Sequence, residues 1–401
     1  MERLFTLLTE AVHGTPAAAL TAVPPSIRAM AGGGGPKPGD HPETAGAGPR
    51  HPRPASLPHP QSWPGYEEAV VVDCLASPGY FNYPEFPPLD EEMIANAVNS
   101  GITGVNLTVG GGDFRGAVSS ISQWMERIQR FPHALMQVRT VDQLMEAKAT
   151  GKLGLIFGFQ DTVSFEGELE VIQVHRDLGV RIAQLTYNVR NLVGDGCLEV
   201  ANAGLSRFGH SVVERMNELG MVVDLSHCSQ RTTAEAIQAS TAPVAITHSG
   251  CNAVDRHPRS KDDAELRAMA ERGGVVGIYL MPFLTPGRVP KTEDVLDHLE
   301  HAVQVCGEDH VGIGSDLSTT PIDGSEEYWS KHREFVARRI ERGIAAPNED
   351  PDILFTVEGL NSHRRMELIA AGLAARGHGR ERIVKLLGGN WVRLFSDVWG
   401  S

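Results

Sequence analysis

From residue 70 onward the chain alternates between short, continuous apolar runs and longer stretches in which apolar residues recur every three or four positions. Eight runs can be counted: AVVVDC (69–74), ITGVNLTV (102–109), LGLIFGF (153–159), RIAQLTY (181–187), MVVDLS (221–226), PVAITH (243–248), GVVGIYL (274–280) and HVGIGSD (310–316). Continuous apolarity predicts strands covered on both faces, and the stretches between them, such as LSRFGHSVVERMNELG (205–220) and DAELRAMAERGG (263–274), predict helices. Eight strand-helix alternations within about 250 residues predict a (β/α)8 TIM barrel, assigned to residues 67–401. A doubly wound open sheet is the rival, but it would carry a Gly-rich phosphate-binding turn after its first strand, and AVVVDCLASPGY has none. The segment GRERIVKLLGGNWVRLF (379–395) predicts a closing helix ended by its Gly pair.

The pattern is different before residue 67. Residues 14–66 are dense in Gly, Pro, Ala and His, too poor in apolar surface to offset the entropy of ordering, so residues 1–66 are expected to form a disordered arm with a short helix at its start. The remainder, in a chain of 401 residues that is 41% hydrophobic, can bury a barrel-sized core. A net charge of -14 without any Lys/Arg cluster excludes generic affinity for nucleic acid or an anionic membrane surface. No apolar run reaches the roughly 18 residues a membrane span needs, and the acidic start MERLFTLLTE does not read as a secretory signal. Five cysteines (74, 197, 228, 251 and 306), an odd number without CxxC spacing, fit reduced thiols in a cytoplasm.

Chemistry in such barrels gathers at the C-terminal ends of the strands. Those ends supply Asp73, then Gln160 and Asp161, Tyr187, His227, His248 and Asp316. Taken singly, a His after a strand is commonly a packing residue, and an Asp there is commonly a helix cap. Two His and an Asp from three separate strands, converging on one rim, match the ligands that zinc and similar ions take. Arg259, in the loop NAVDRHPRS on the same face, has the fork geometry to hold a carboxylate, or else pairs with Asp262 or Asp263. His257 reads as structural.

The stretches DLGVRIAQLTYN, GLSRFGHSVVERMNELGMVVDLSHCS, ITHSGCNAVDRHPRS, AERGGVVGIY, HVGIGSD and LLGGNWVRLF resemble, in order, the membrane (renal) dipeptidase family of zinc metallopeptidases. The resemblance implies a (β/α)8 barrel with a two-zinc site that hydrolyses dipeptides, often as a homodimer. It implies that His227 and His248 ligate one metal, that Asp316 binds metal and handles the proton, and that Arg259 grips the substrate carboxylate. Other positions depart from the pattern. The family's first strand ends Asp-Gly-His-x-Asp, and this chain reads Asp73, Cys74, Leu75, Ala76, Ser77. Gln160 stands where the family has a bridging Glu ligand, with Asp161 and Glu166 as conceivable substitutes, and Tyr187 stands where it has a substrate-facing His. The expectation is therefore one zinc ion rather than two, held by His227, His248, Asp316 and Gln160.

Three functions compete at this stage. One is a metal-dependent hydrolase of a dipeptide or related amide bearing a free carboxylate, with Asp316 as proton carrier and Tyr187 as oxyanion donor. The second is a lapsed barrel that binds a small molecule, and the third is a non-hydrolytic reaction beside a carboxylate. None involves nucleic acid or membrane.

Overall fold

The computed structural model describes residues 62–80, 89–110 and 112–400. Eight strands run in parallel: β1 (Val72–Asp73), β2 (Gly104–Thr108), β3 (Leu153–Phe159), β4 (Val180–Gln184), β5 (Val222–Asp224), β6 (Ala245–Ser249), β7 (Val275–Ile278) and β8 (Val311–Ile313). Asp73 of β1 is in register with Val105 of β2 on one side and Ile313 of β8 on the other, which closes the sheet into a barrel. Every residue of β3, β4 and β6 is buried, polar side chains such as Gln184 and His248 included, as strands covered on both faces require. Leu135–Gln137 adds a short strand that pairs with the start of β3 and was too brief to register in the pattern.

The helices between strands begin where their sequences supply caps. The side chains of Asp90, Asp113, Ser206, Ser229 and Ser325 each accept a backbone N–H from the first turn of the following helix, each cap contributing about 1 kcal/mol. Past the rim, Ala76–Ser77 and Leu317–Ser318 pair in parallel, so the chain leaving β1 and the chain leaving β8 stay side by side. This pairing carries Leu75 and Asp316 to the cavity mouth, where Asp316 N donates to Leu75 O at 2.8 Å.

The closing segment departs from expectation. The Gly pair does not end a helix: Arg380–Val384 runs into a π-helical turn, Lys385–Gly389, and on into the helix Asn390–Trp399. A Cβ on Gly388 would meet Val70 O at 2.3 Å, so glycine is what lets this turn seat against the entry to β1. Beside it, Trp391 Nε1 donates to Ile313 O and Asn390 Nδ2 to Val311 O, fixing the segment to β8.

The expected arm over residues 1–66 lies outside the described residues except for 62–66, and there Trp63 and Tyr66 are already buried in the core. Among the described residues no helix is long and apolar enough to cross a membrane. All five cysteines are unpaired, four of them buried.

Candidate active site

A cavity of about 210 Å³ opens at the C-terminal ends of the strands. Its wall from β1 to β3 is formed by Leu75, Ala76, Ser77, Leu107, Thr108 and Gln160. The opposite wall presents Tyr187, Asn188, His227, Arg259 and Asp316, joined by Arg339 and Glu349. Met281, Phe283, Leu317, Phe335 and Phe355 complete it with apolar surface.

The two strand-end imidazoles meet, with His227 Nε2 and His248 Nε2 2.9 Å apart. Their outer nitrogens decide what lies between them. Asn188 spends its Nδ2 on Ile344 O and presents Oδ1 to His227 Nδ1 at 2.6 Å, so that nitrogen carries the proton and His227 Nε2 keeps a lone pair. Thr247 Oγ1 donates to Asp224 Oδ2 at 2.7 Å and lies 2.8 Å from His248 Nδ1, which must then donate to it, leaving a lone pair on His248 Nε2 as well. Burial first, and Arg259 next, depress both imidazoles well below their ordinary range, so neither supplies a shared proton. Two neutral nitrogens aimed at one point, each oriented by an outer partner, have the donor chemistry of imidazole ligands to a single metal ion.

The expected ligand quartet is not assembled, however. Among the described residues no group of three His, Cys, Asp or Glu could hold an ion, whereas a catalytic zinc takes three protein ligands. His248 is fully buried behind His227 and does not line the cavity. Gln160 turns its Nε2 to Thr108 Oγ1 at 2.8 Å, and Asp316 lines the cavity without completing such a group. The two conceivable substitutes for the bridging Glu lie outside the cavity lining, Asp161 accepting from Val163 N and Glu166 from Phe114 N. Among the described residues His227 and His248 bring two imidazole nitrogens to one point, the part of a ligand set the site does assemble.

Asp316 adopts the left-handed backbone region at φ 57°, which Asp tolerates better than most side chains. Burial pushes its carboxyl up to about 7, against the opposing pull of Arg259 and Arg339. Arg259 is 2% exposed and pairs with neither nearby carboxylate, since Asp262 is engaged by Gln230 and Asn252, and Asp263 by His301 and Arg267. Arg259 Nη1 donates to Ser226 O at 2.6 Å. His257 is structural, as expected: it stacks on Phe283, donates to Pro347 O and accepts Arg259 N. Asp73 is structural too, its carboxylate accepting Ser315 N and Oγ, both at 2.6 Å. Tyr187 stacks on His227 with ring centroids 4.2 Å apart, and its hydroxyl accepts from Arg339 at 2.9 Å. Arg339, Glu349, Asn188 and the Asp224–Thr247 pair escaped the reading of strand ends. For Asn188 a signal existed, the polar residue directly after Tyr187 in LTYN.

Residues 97–348 match the family model described as membrane dipeptidase, peptidase family M19. The dipeptidase verJ of Clonostachys rogersoniana is 30% identical over 273 residues, covering 68% of this chain and 62% of the relative. The dipeptidase tcpJ of Claviceps purpurea is 32% identical, covering 61% of each. The chain thus spans about three fifths of the length of these curated relatives. Among solved structures, an amidohydrolase from Pseudomonas aeruginosa superposes with a TM-score of 0.74 at 30% identity, covering 84% of this chain and 98% of that one. A metallopeptidase from Rhodobacter sphaeroides, liganded with a phosphinate mimic of L-Ala-D-Ala, shares the fold with a TM-score of 0.66 at 20% identity, covering 82% and 99%.

Proposed function

The chain belongs to the membrane dipeptidase family, peptidase family M19, and from that premise we propose that it hydrolyses the amide bond of a small, carboxylate-bearing molecule, a dipeptide or an N-acyl amino acid. The observation that carries this reading is the meeting, at one cavity, of a buried guanidinium paired with neither Asp262 nor Asp263, a carboxyl pushed up to about 7 and His227, with His248 bonded behind it. His227 and His248 would hold one zinc ion, which supplies Lewis acidity toward the scissile carbonyl and the attacking water.

The chain's own residues do the rest. Arg259 receives the substrate carboxylate and fixes the distance from it to the bond that breaks. Asp316, with its carboxyl near 7, takes a proton from water and returns it to the leaving amine, a cycle that needs a group able to exist in both forms at neutral pH. Tyr187 donates a hydrogen bond to the carbonyl oxygen as negative charge develops there. Leu75, Leu107, Met281 and Phe355 accept the apolar remainder of the substrate and exclude water. The unpaired buried cysteines support a cytoplasmic setting.

The test begins with metal analysis of purified protein, then a screen of dipeptides and N-acyl amino acids beside the Arg259→Ala variant. About one ion per chain and turnover that collapses in the variant are expected. Equal rates for the variant would remove the carboxylate clamp, and carboxylate binding without turnover would reassign the cavity to a binding role.

A further inference from the structure

Arg339 reaches the cavity from the helix Glu326–Glu341, far from any strand end, and it is held there by construction. Its Nε and Nη2 donate to the two carboxylate oxygens of Glu349 at 2.6 and 2.8 Å. Glu349 is anchored in turn, its Oε1 accepting Ala346 N at 2.7 Å, and its side chain is 1% exposed. A bidentate pair this enclosed is a fixed element rather than a solvated surface contact. The remaining arm, Nη1, is aimed at Tyr187 Oη at 2.9 Å, and the guanidinium carbon lies 5.5 Å from the ring centroids of both Tyr187 and Phe335.

This geometry leaves the phenol one role. Guanidinium has no acceptor, so the contact runs only from Arg339 to Tyr187 and fills an oxygen lone pair. The tyrosine proton is thereby turned away from Arg339, while stacking on His227 keeps the ring at the cavity wall. A cation on the oxygen of a phenol also strengthens it as a donor, because it withdraws electron density from the O–H bond. We infer that Arg339, locked by Glu349, is a positioning residue that fixes Tyr187 as the hydrogen-bond donor to the oxygen of the substrate's scissile carbonyl. The inference rests on the proposed amide-hydrolase reading, but it concerns selectivity for a charged tetrahedral oxygen over a planar carbonyl, which binding alone can measure.

The experiment compares a phosphinate dipeptide mimic with the matching unreactive N-methyl amide by titration calorimetry. It uses wild type, Tyr187→Phe, Arg339→Lys, Arg339→Met combined with Glu349→Gln, and the triple combination. Glu349→Gln accompanies Arg339→Met so that no buried carboxylate is left unpaired. Tyr187→Phe should weaken the phosphinate by about tenfold to a hundredfold while changing the amide little. Arg339→Met/Glu349→Gln should lose a similar factor, the triple variant should lose no more than either, and Arg339→Lys should recover part of the loss. Independent, multiplicative losses would overturn the positioning role, and so would full phosphinate selectivity in Arg339→Met/Glu349→Gln. Wild type that binds both ligands and prefers phosphinate but cleaves no amide sinks the hydrolase reading, while the variant series still upholds or overturns the positioning of Tyr187 by Arg339. Wild type that binds neither ligand overturns both.

Discussion

From β1 to β3 the cavity wall is built of Leu75, Ala76, Ser77, Leu107, Thr108 and Gln160, with no formal charge; from β4 to β8 it holds a phenol, an imidazole, a guanidinium and a carboxyl. Both arcs lie on the same barrel, at the same ends of its strands, and are buried to a similar degree. The difference lies in what each side chain leans on. Polar groups of the second arc have dedicated partners: Asn188 for His227, Thr247 and Asp224 for His248, Glu349 through Arg339 for Tyr187. The first arc carries little that needs such support, and Gln160 satisfies itself on Thr108. A polar wall inside a barrel therefore reaches a layer deeper than its own residues, while an apolar wall is complete by itself.

The strongest way to break this comparison is to make the first arc polar. Leu75→His, Ser77→Asp and Gln160→Glu together should raise bound metal by one ion per chain, read by plasma mass spectrometry; an unchanged count would mean that these positions do not face a second ion. Next in size, Asp316→Asn, which keeps a side chain tolerant of φ 57°, should slow turnover by about a hundredfold to ten-thousandfold with carboxylate binding retained. Arg259→Ala should weaken binding of carboxylate ligands by about tenfold to a hundredfold without altering affinity for their neutral amides.

The smallest effect concerns the foundation of the polar arc. His298, fully buried, accepts Cys251 N on Nδ1 and donates Nε2 to Leu284 O, bracing the loop that follows β6 and carries Arg259. Burial depresses its imidazole from 6.5 to about 4, against the raising pull of Leu284 O and Asp294, with His301 lowering it further. The unfolded chain therefore binds this proton first, so stability is complete above pH 6.5 and declines as the pH falls toward 4. At pH 5.5 the loss is on the order of 1 kcal/mol, a drop of a few degrees in Tm that His298→Gln should abolish.

How much of this was legible in the sequence follows from the same division. All eight barrel strands were readable because a strand covered on both faces is apolar on both, with few polar interruptions, and LGLIFGF and PVAITH do not read as amphipathic surface. His227, His248 and Asp316 were readable because each terminates such a run. Arg339 was not, since VARRIERG reads as an ordinary charged helix and nothing local distinguishes a guanidinium that turns inward from its neighbours. The Gly pair at 388–389 read as a helix stop because Gly commonly serves as one, whereas here the missing side chain of Gly388 answers to Val70, at the distant entry to β1. Contacts that depend on a partner far along the chain leave no local trace.

That seating of the π-helical turn on the entry to β1 also bears on how the molecule forms. Ser315 and Asp73, bonded across the barrel's seam, are 242 residues apart in sequence, so closure belongs to the slowest, most non-local class of folding event. Any parallel sheet left open at such a seam would present two strand edges with unpaired backbone groups, so closing the seam is also what removes the barrel's aggregation-prone edges.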